Sequence, residues 1–296
     1  MHISVMPQEV MELLNLPRGG TAIDGTLGMA GHAVLMAERL GAAGHLIGID
    51  RDLSSLTEAK RRLADVGLRV DLLQGNFNDV DRLLAQVNVQ AVDGVLLDLG
   101  ISSFQLDDPN RGFAFKNDGP LDMRMDVSKG DSAADLVNHL PEAELAKIID
   151  EYGEERFAKR IAKAIVFSRA ERSVTTTKEL ADIILRALPH GYTRGRIHPA
   201  TRSFQALRIA VNDELGSLAG ALEKCFKLLK PSGRMCIIAF HSLEDRIVKN
   251  TFKRFAQEGL AQVLTKRPLQ STDAECAINS RSRSAKLRAI ERSALS

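Results

Sequence analysis

Thr21-Ala22-Ile23-Asp24-Gly25-Thr26-Leu27-Gly28-Met29-Ala30-Gly31-His32 is the stretch whose reading decides the fold. Apolar residues lead into Asp24, and glycines follow at 25, 28 and 31. A helix-like run with Val34, Leu35, Ala37 and Leu40 begins at about His32. The pattern is strand, tight turn, helix. Glycines let the backbone bend sharply and approach a ligand, and the helix start offers unpaired N–H groups. Such a turn opens a nucleotide-binding βα unit. The same letters also fit a strand-turn-helix that holds nothing. Asp24 narrows the choice of ligand. A dinucleotide pyrophosphate would meet a second anion there, whereas an ammonium and a sulfonium would meet an opposite charge. S-adenosylmethionine carries both cations.

The pattern repeats outward from this turn. His45-Leu46-Ile47-Gly48-Ile49 is an apolar strand ending at Asp50, 19 residues past Gly31. An acid at this point accepts hydrogen bonds from ribose hydroxyls in α/β nucleotide folds. Asp50 also suits the N-cap of a helix over Leu53 to Leu63; the two roles are compatible, and the ribose role is the favoured one. Val70 to Leu73 is a third strand, followed by Phe77, which fits either an adenine face or the core. Val92 to Leu97 is a fourth strand, ending in Asp98. Three strands thus end in Asp24, Asp50 and Asp98, at the edge where open α/β sheets bind ligands. Upstream, Val5 to Leu14 is a short amphipathic piece before Pro17-Arg18-Gly19-Gly20.

The fifth strand candidate, Arg234 to Phe240, is separated from Asp98 by 135 intervening residues. A helical run from Phe204 to Leu229 leads into it, with Lys230-Pro231-Ser232-Gly233 as the break. A βαβ crossover needs only about 30 residues, so roughly a hundred are inserted. Helices are expected over Pro141 to Asp150, Glu154 to Arg169 and Thr177 to Leu188, the last with a capping start in Thr175-Thr176-Thr177-Lys178-Glu179. A long irregular loop, Gln105 to Gly130, precedes them; its phenylalanines and mixed charges point to function rather than disorder. The expected architecture is α/β: a Rossmann-like, mostly parallel sheet from residues 1–104 and 205–296, interrupted by a mainly helical domain over 105–204.

With 40 Lys and Arg against 38 Asp and Glu, the net charge of +2 says little about partners. Distribution says more. Ile183 to Asn212 holds arginines 186, 194, 196, 202 and 208, two histidines and no acid. From Lys266 onward seven basic residues face three acidic ones, with Arg283, Lys286 and Arg288 close together. These clusters fit phosphate contacts with nucleic acid. Cys225, Cys236 and Cys276 are few and lack metal-like spacing, which fits a reducing cytoplasm. No apolar run approaches the ~18 residues of a membrane span, and the start lacks a signal segment. His241, Glu244 and Asp245 look catalytic, but no Gly-x-Ser-x-Gly elbow supports a hydrolase. A cap by Ser242 with Asp245 at the box position is expected, and a substrate role for His241 stays open.

The chain resembles the bacterial RsmH (MraW) family of 16S ribosomal RNA cytosine-N4 methyltransferases. The resemblance rests on His2 to Pro7, Asp24 to His32, Asp98 to Ser103, Gln105 to Asp108, Arg111 to Phe113, Leu121 to Asp126, Ile197 to Arg202, Phe204 to Arg208, Phe240 to Arg246 and Ser282 to Arg288. It implies a class I methyltransferase sheet with a helical, substrate-recognising insertion. It implies S-adenosylmethionine as methyl donor and the cytosine at position 1402 of 16S rRNA as acceptor, in the decoding centre of the small subunit. Cofactor contacts are implied at Ala30, Gly31, His32, Asp50, Phe77, Asp98 and Gln105; Asp24 and Gly28 join them from the turn itself. RNA contacts are expected at Arg194, Arg196, Arg202, Arg283, Lys286 and Arg288. Asp98, Asp122 and Asp126 are candidates for the group that takes the amine proton. No metal is expected, no membrane is involved, and a homodimer is open. One departure stands out: Ala30 occupies a place where the family commonly has glycine, which predicts a small shift of the turn. A DNA cytosine-N4 or adenine-N6 methyltransferase would show a Pro-Pro-aromatic box after strand four; Asp98-Leu99-Gly100-Ile101 disfavours it. A nicotinamide dehydrogenase is disfavoured by Asp24. An RNA-binding assembly factor without turnover is the non-enzymatic alternative.

Overall fold

Alternation of apolar residues along the strands builds a sheet buried on both faces. Ile23, Ile47, Val95, Leu97 and Ile237 join one core cluster. Their chain neighbours Ala22, Leu46, Leu96, Cys236 and Ile238 join the cluster on the other side. Successive strand residues point to opposite faces, so near-continuous apolar runs mark strands covered twice. Each buried Leu, Ile or Phe contributes roughly 1.5–3 kcal/mol.

This computed structural model describes residues 4–189, 192 and 198–294. The chain divides into two compact units, Met1–Gly100 with Leu215–Ser296, and Ile101–Glu214. In the first stretch lie α1 (Pro7–Leu14), β1 (Thr21–Asp24), α2 (Gly31–Leu40), β2 (His45–Asp50), α3 (Leu53–Arg62), β3 (Arg69–Gln74), α4 (Val80–Gln86) and β4 (Val92–Asp98). The second unit holds α5 (Ser103–Asp107), α6 (Ala133–His139), α7 (Glu142–Gly153), α8 (Ala158–Glu171), α9 (Thr177–Ala187) and α10 (Thr201–Asn212). The chain ends with α11 (Glu214–Leu228), β5 (Leu229–Ala239), α12 (Ser242–Gln257), β6 (Ala261–Val263), α13 (Asp273–Ile278) and β7 (Lys286–Arg292). Among the described residues no helix is long and apolar enough to cross a membrane.

The sheet order is β3-β2-β1-β4-β5-β7-β6. Strands β1 to β5 run parallel, while β7 pairs antiparallel with β5 and β6. The chain moves outward through β2 and β3, then returns to the other side of β1 as β4. That reversal opens a crevice at the carboxyl ends of β1 and β4.

Several expectations need correction. The run Phe204 to Leu229 is two helices, because Asp213 takes a left-handed conformation (φ 47°) between α10 and α11. Lys230 to Gly233 lies within β5, where Ser232 has positive φ and the register against β4 shifts. Strands β6 and β7 have no counterpart in the sequence reading, since Lys286 to Arg292 passes for a basic tail. The cap of α3 is Asp52, whose side chain accepts from the Ser54 N–H, and not Asp50. The cap of α12 is His241, with Glu244 at the box position, one residue before the Ser242 cap expected.

In the second unit, Leu145, Ile149, Ile161, Ile165, Leu180, Ile184 and Leu207 form the centre of a separate core. The capping box of α9 is formed by Thr176 and Glu179. The long loop is pinned from within this unit. Asn212 donates to the carbonyls of Met123 and Arg208 and accepts from the Met125 N–H. Arg111 donates to the carbonyls of Arg124 and Met125.

The turn after β1 depends on Gly25. Its N–H donates to Leu96 O at 2.9 Å, and an added Cβ would collide with the buried Leu97 side chain and press on Phe77. Gly25→Ala is expected to lower stability by about 1–3 kcal/mol, read as a lower unfolding midpoint in urea. An unchanged midpoint contradicts the close packing of turn and strand.

Candidate functional site

Asp24, Asp50 and Asp98 stand at the ends of β1, β2 and β4, on one edge of the sheet. Asp24 is 1% exposed, and its Oδ1 accepts from the Thr26 N–H at 3.2 Å. Asp50 holds the glycine turn from below: Oδ2 accepts from the Gly28 N–H at 2.8 Å and Oδ1 from the Asp52 N–H at 2.9 Å. Gly28 has φ 48°, a conformation in which glycine carries no penalty. Ala30 adopts φ 57°, so the turn keeps the left-handed geometry with a methyl group in place. That conformation costs a non-glycine residue about 1–2 kcal/mol. Gly31 begins α2. Thr26 docks the turn onto β4, its Oγ1 accepting from the Asp98 N–H.

Asp98 is the least satisfied of the three. Among the described residues its buried Oδ1 has no hydrogen-bond partner, while Oδ2 lies 3.6 Å from Nδ1 of His32. Burial pushes the Asp98 carboxyl well above its ordinary value, and the charges of Asp24 and Glu244 push it further. Burial raises Asp24 to about 7, with the Thr26 N–H pulling back and Asp50 adding to the rise. Burial raises Asp50 to about 6 against the opposing N–H groups of Asp52 and Gly28. Phe77 is half-buried beside Gly25, with the Arg51 guanidinium 5.8 Å from its ring centre.

Thr26 escaped the sequence reading as part of this site, and Glu244 stood out there only beside His241 and Asp245 as a catalytic-looking group. Thr26 carried a signal, since a hydroxyl two residues after a strand-end acid can bond the neighbouring strand.

The other candidates are engaged elsewhere. Gln105 belongs to the second unit, where it is 5% exposed and closes the capping box of α5 with Ser102. Burial raises the Asp122 carboxyl, but bonds from the Arg124 side chain and N–H outweigh it and lower it overall. Burial likewise raises Asp126, and Ser128 with Lys129 lowers it overall. A carboxylate held below its ordinary value is a poor proton acceptor, which weighs against Asp122 and Asp126 in that role. Arg194 and Arg196 lie outside the described residues. Arg202 donates to Glu154 O, and Arg283 is exposed. Arg288 is 7% exposed in β7 and bonded to Asp245, which Lys286 also faces at 3.5 Å. The RNA contact expected of Arg288 is withdrawn, because its guanidinium is used inside the fold.

An orphaned carboxyl oxygen, two further desolvated acids and a glycine turn together fit a ligand with an ammonium, a sulfonium and a ribose. The strand order and this edge define a class I S-adenosylmethionine-dependent methyltransferase. The chain belongs to the MraW methylase family, whose model matches residues 1–293. It is 51% identical to the Ribosomal RNA small subunit methyltransferase H of Syntrophotalea carbinolica, over 98% of each chain. It is 52% identical to the protein of that name from Geobacter sulfurreducens, again over 98% of each. Its fold is similar to that of a Clostridium thermocellum protein provisionally described as an rRNA-methylase, with a TM-score of 0.50 at 14% identity, covering 99% of this chain and 100% of that one.

Raised carboxyls give a stability signature. A folded-state value above the unfolded one means that folding takes up a proton, so stability is full below the unfolded value and falls as pH rises through the folded value. For Asp24 and Asp50 the window runs from the ordinary 3.8 up to about 7 and about 6. Asp24→Asn is expected to remove much of that slope and to raise the stability of the ligand-free protein at about pH 8 by on the order of 2–4 kcal/mol. Chemical denaturation at a series of pH values checks this, and a variant less stable than wild type at the alkaline end contradicts it.

Proposed function

We propose that the chain transfers a methyl group from S-adenosylmethionine to the exocyclic N4 amine of a single cytosine, position 1402 in 16S rRNA. The observation that carries this reading is the identity of 51–52% over 98% of the chain to relatives named for methylating small-subunit ribosomal RNA. An rRNA substrate in turn places the chain in the cytoplasm, acting on the small ribosomal subunit.

S-adenosylmethionine, when bound, supplies an electrophilic methyl group. Asp24 and Asp98 are the acids that would face its cationic groups. Asp50 spends part of its acceptor capacity on Gly28 and Asp52 and keeps lone pairs for ribose hydroxyls. Phe77 presents a half-buried ring suited to the adenine face. Cytosine's amine is a weak nucleophile, because its lone pair is delocalised into the ring. An acceptor for its N–H localises that pair and takes up the proton. Asp98 Oδ1 is the buried oxygen with acceptor capacity to spare. The second unit, with Arg202 and the arginines at 194 and 196, is assigned to the RNA. The exposed Arg283 of the first unit is assigned likewise.

The direct test incubates the purified protein with methyl-labelled donor and small subunits from cells lacking the gene, then digests the RNA to nucleosides. Labelled N4-methylcytidine is expected; label in DNA alone, or none, overturns the reading. In the same assay, single-turnover Asp98→Asn is expected to be slower by ~10²–10⁴. A rate within about threefold of wild type removes Asp98 as the proton acceptor. Arg194→Ala with Arg196→Ala should weaken RNA binding and flatten its salt dependence at unchanged donor affinity. An unchanged slope assigns those arginines to the surface.

A further inference from the structure

The residue next to the orphaned carboxyl is a histidine whose other face is already committed. His32 is 5% exposed, and its Nε2 lies 2.9 Å from the carbonyl oxygen of Val5. A carbonyl oxygen only accepts, so Nε2 carries the hydrogen whether the ring is neutral or charged. The acceptor is itself fixed. Met6 follows it in a left-handed conformation, fully buried, and its N–H donates to Glu275 Oε1 at 2.8 Å. The segment Ser4 to Met6 is therefore a strap, held to α13 at one side and to the cofactor turn at the other. Its effect on His32 is to leave Nδ1 as the nitrogen that gains or loses a proton. Nδ1 faces Asp98 Oδ2 at 3.6 Å, an ion-pair separation just beyond direct hydrogen-bond reach.

We propose that His32 and Asp98 share one proton, and that His32 Nδ1 receives it when a cation settles against Asp98. This rests on the methyl-donor reading above and assigns a side-chain role to a residue otherwise expected only as a cofactor contact. In the ligand-free site the proton belongs to Asp98. Asp24 from β1 and Glu244 from α12 face that carboxyl as like charges, and Glu244 is itself paired with His241, Nε2 to Oε1 3.2 Å apart. A docking cation reverses the preference by stabilising the carboxylate. The O–H bond at Oδ2 breaks, an N–H bond forms at Nδ1, and a neutral pair becomes carboxylate and imidazolium with no change in net charge. The carboxylate then lies between two positive groups, and its ionised Oδ1 accepts a hydrogen bond more strongly than the neutral acid does. His32 acts through Asp98, so it is a positioning residue.

The test reads protons rather than activity. Nitrogen-15 spectra of the imidazole ring in the full chain, without donor at about pH 7, are expected to show a neutral ring protonated at Nε2. Addition of S-adenosylmethionine should convert it to the doubly protonated form. Calorimetry of donor binding in two buffers of different ionisation heat counts the protons released. His32→Gln is expected to release about one proton more per bound donor than wild type, because the internal acceptor is gone. A ring that stays neutral with donor bound, together with equal proton release in both proteins, overturns the proposal alone. No binding heat in wild type overturns the methyl-donor reading and the proposal with it. If His32→Gln does not fold, the wild-type ring spectra decide by themselves.

Discussion

Removal of carboxyl groups from water at one edge of a parallel sheet is the constraint on which the rest of the first unit depends. Asp24 alone is raised from 3.8 to about 7. At about 1.4 kcal/mol per pH unit, its surroundings in the fold disfavour the ionised form, relative to a carboxyl in water, by on the order of 4 kcal/mol. That net rise already includes the opposing hydrogen bond from the Thr26 N–H. Without a ligand the acids are favoured in their protonated forms, and a cation from outside would stabilise the ionised ones. The surrounding structure concentrates this imbalance. Gly25 brings the turn against β4, Thr26 locks it there, Gly28 takes one Asp50 oxygen, and the strap at Val5 orients His32 toward Asp98.

The same constraint separates this site from an ordinary nucleotide fold. A glycine turn at a helix N-terminus favours phosphate, because its N–H groups and dipole face the ligand. Here that preference is reversed locally by an acid at the strand end. Asp50 uses one such N–H internally, the one on Gly28. The edge selects a ligand that is positive at one end and carries a sugar at the other. Membership of the MraW methylase family and the geometry of the edge lead independently to the same methyl donor.

Much of this was legible in the chain, for identifiable reasons. Strands β1, β2 and β4 are buried on both faces, so they read as apolar runs ending in acids, and the three strand-end carboxylates could be placed together before any coordinates. Strand β7 was hidden because Arg288 breaks the apolar pattern. Its burial is made tolerable by Asp245, a partner 43 residues away that no local reading supplies. The break between α10 and α11 was hidden because apolar periodicity continues through Asp213, and only its backbone sign changes. Capping by His241 was missed because a ring nitrogen seldom does the work of a hydroxyl. The link from Val5 through His32 to Asp98 joins three distant segments, and each of its residues is unremarkable alone.

The claim that these carboxyls are held for a cation is tested most directly by donor affinity as a function of pH. Calorimetric titration of the full chain with S-adenosylmethionine between about pH 5 and 7 keeps the donor's amine charged while Asp24 and Asp50 change state. Affinity is expected to rise by up to about tenfold per pH unit at the acid end and to level off near 7, as ionised acids replace protonated ones. An affinity that is flat across that range, or that falls as pH rises, would contradict the central role given to the buried acids.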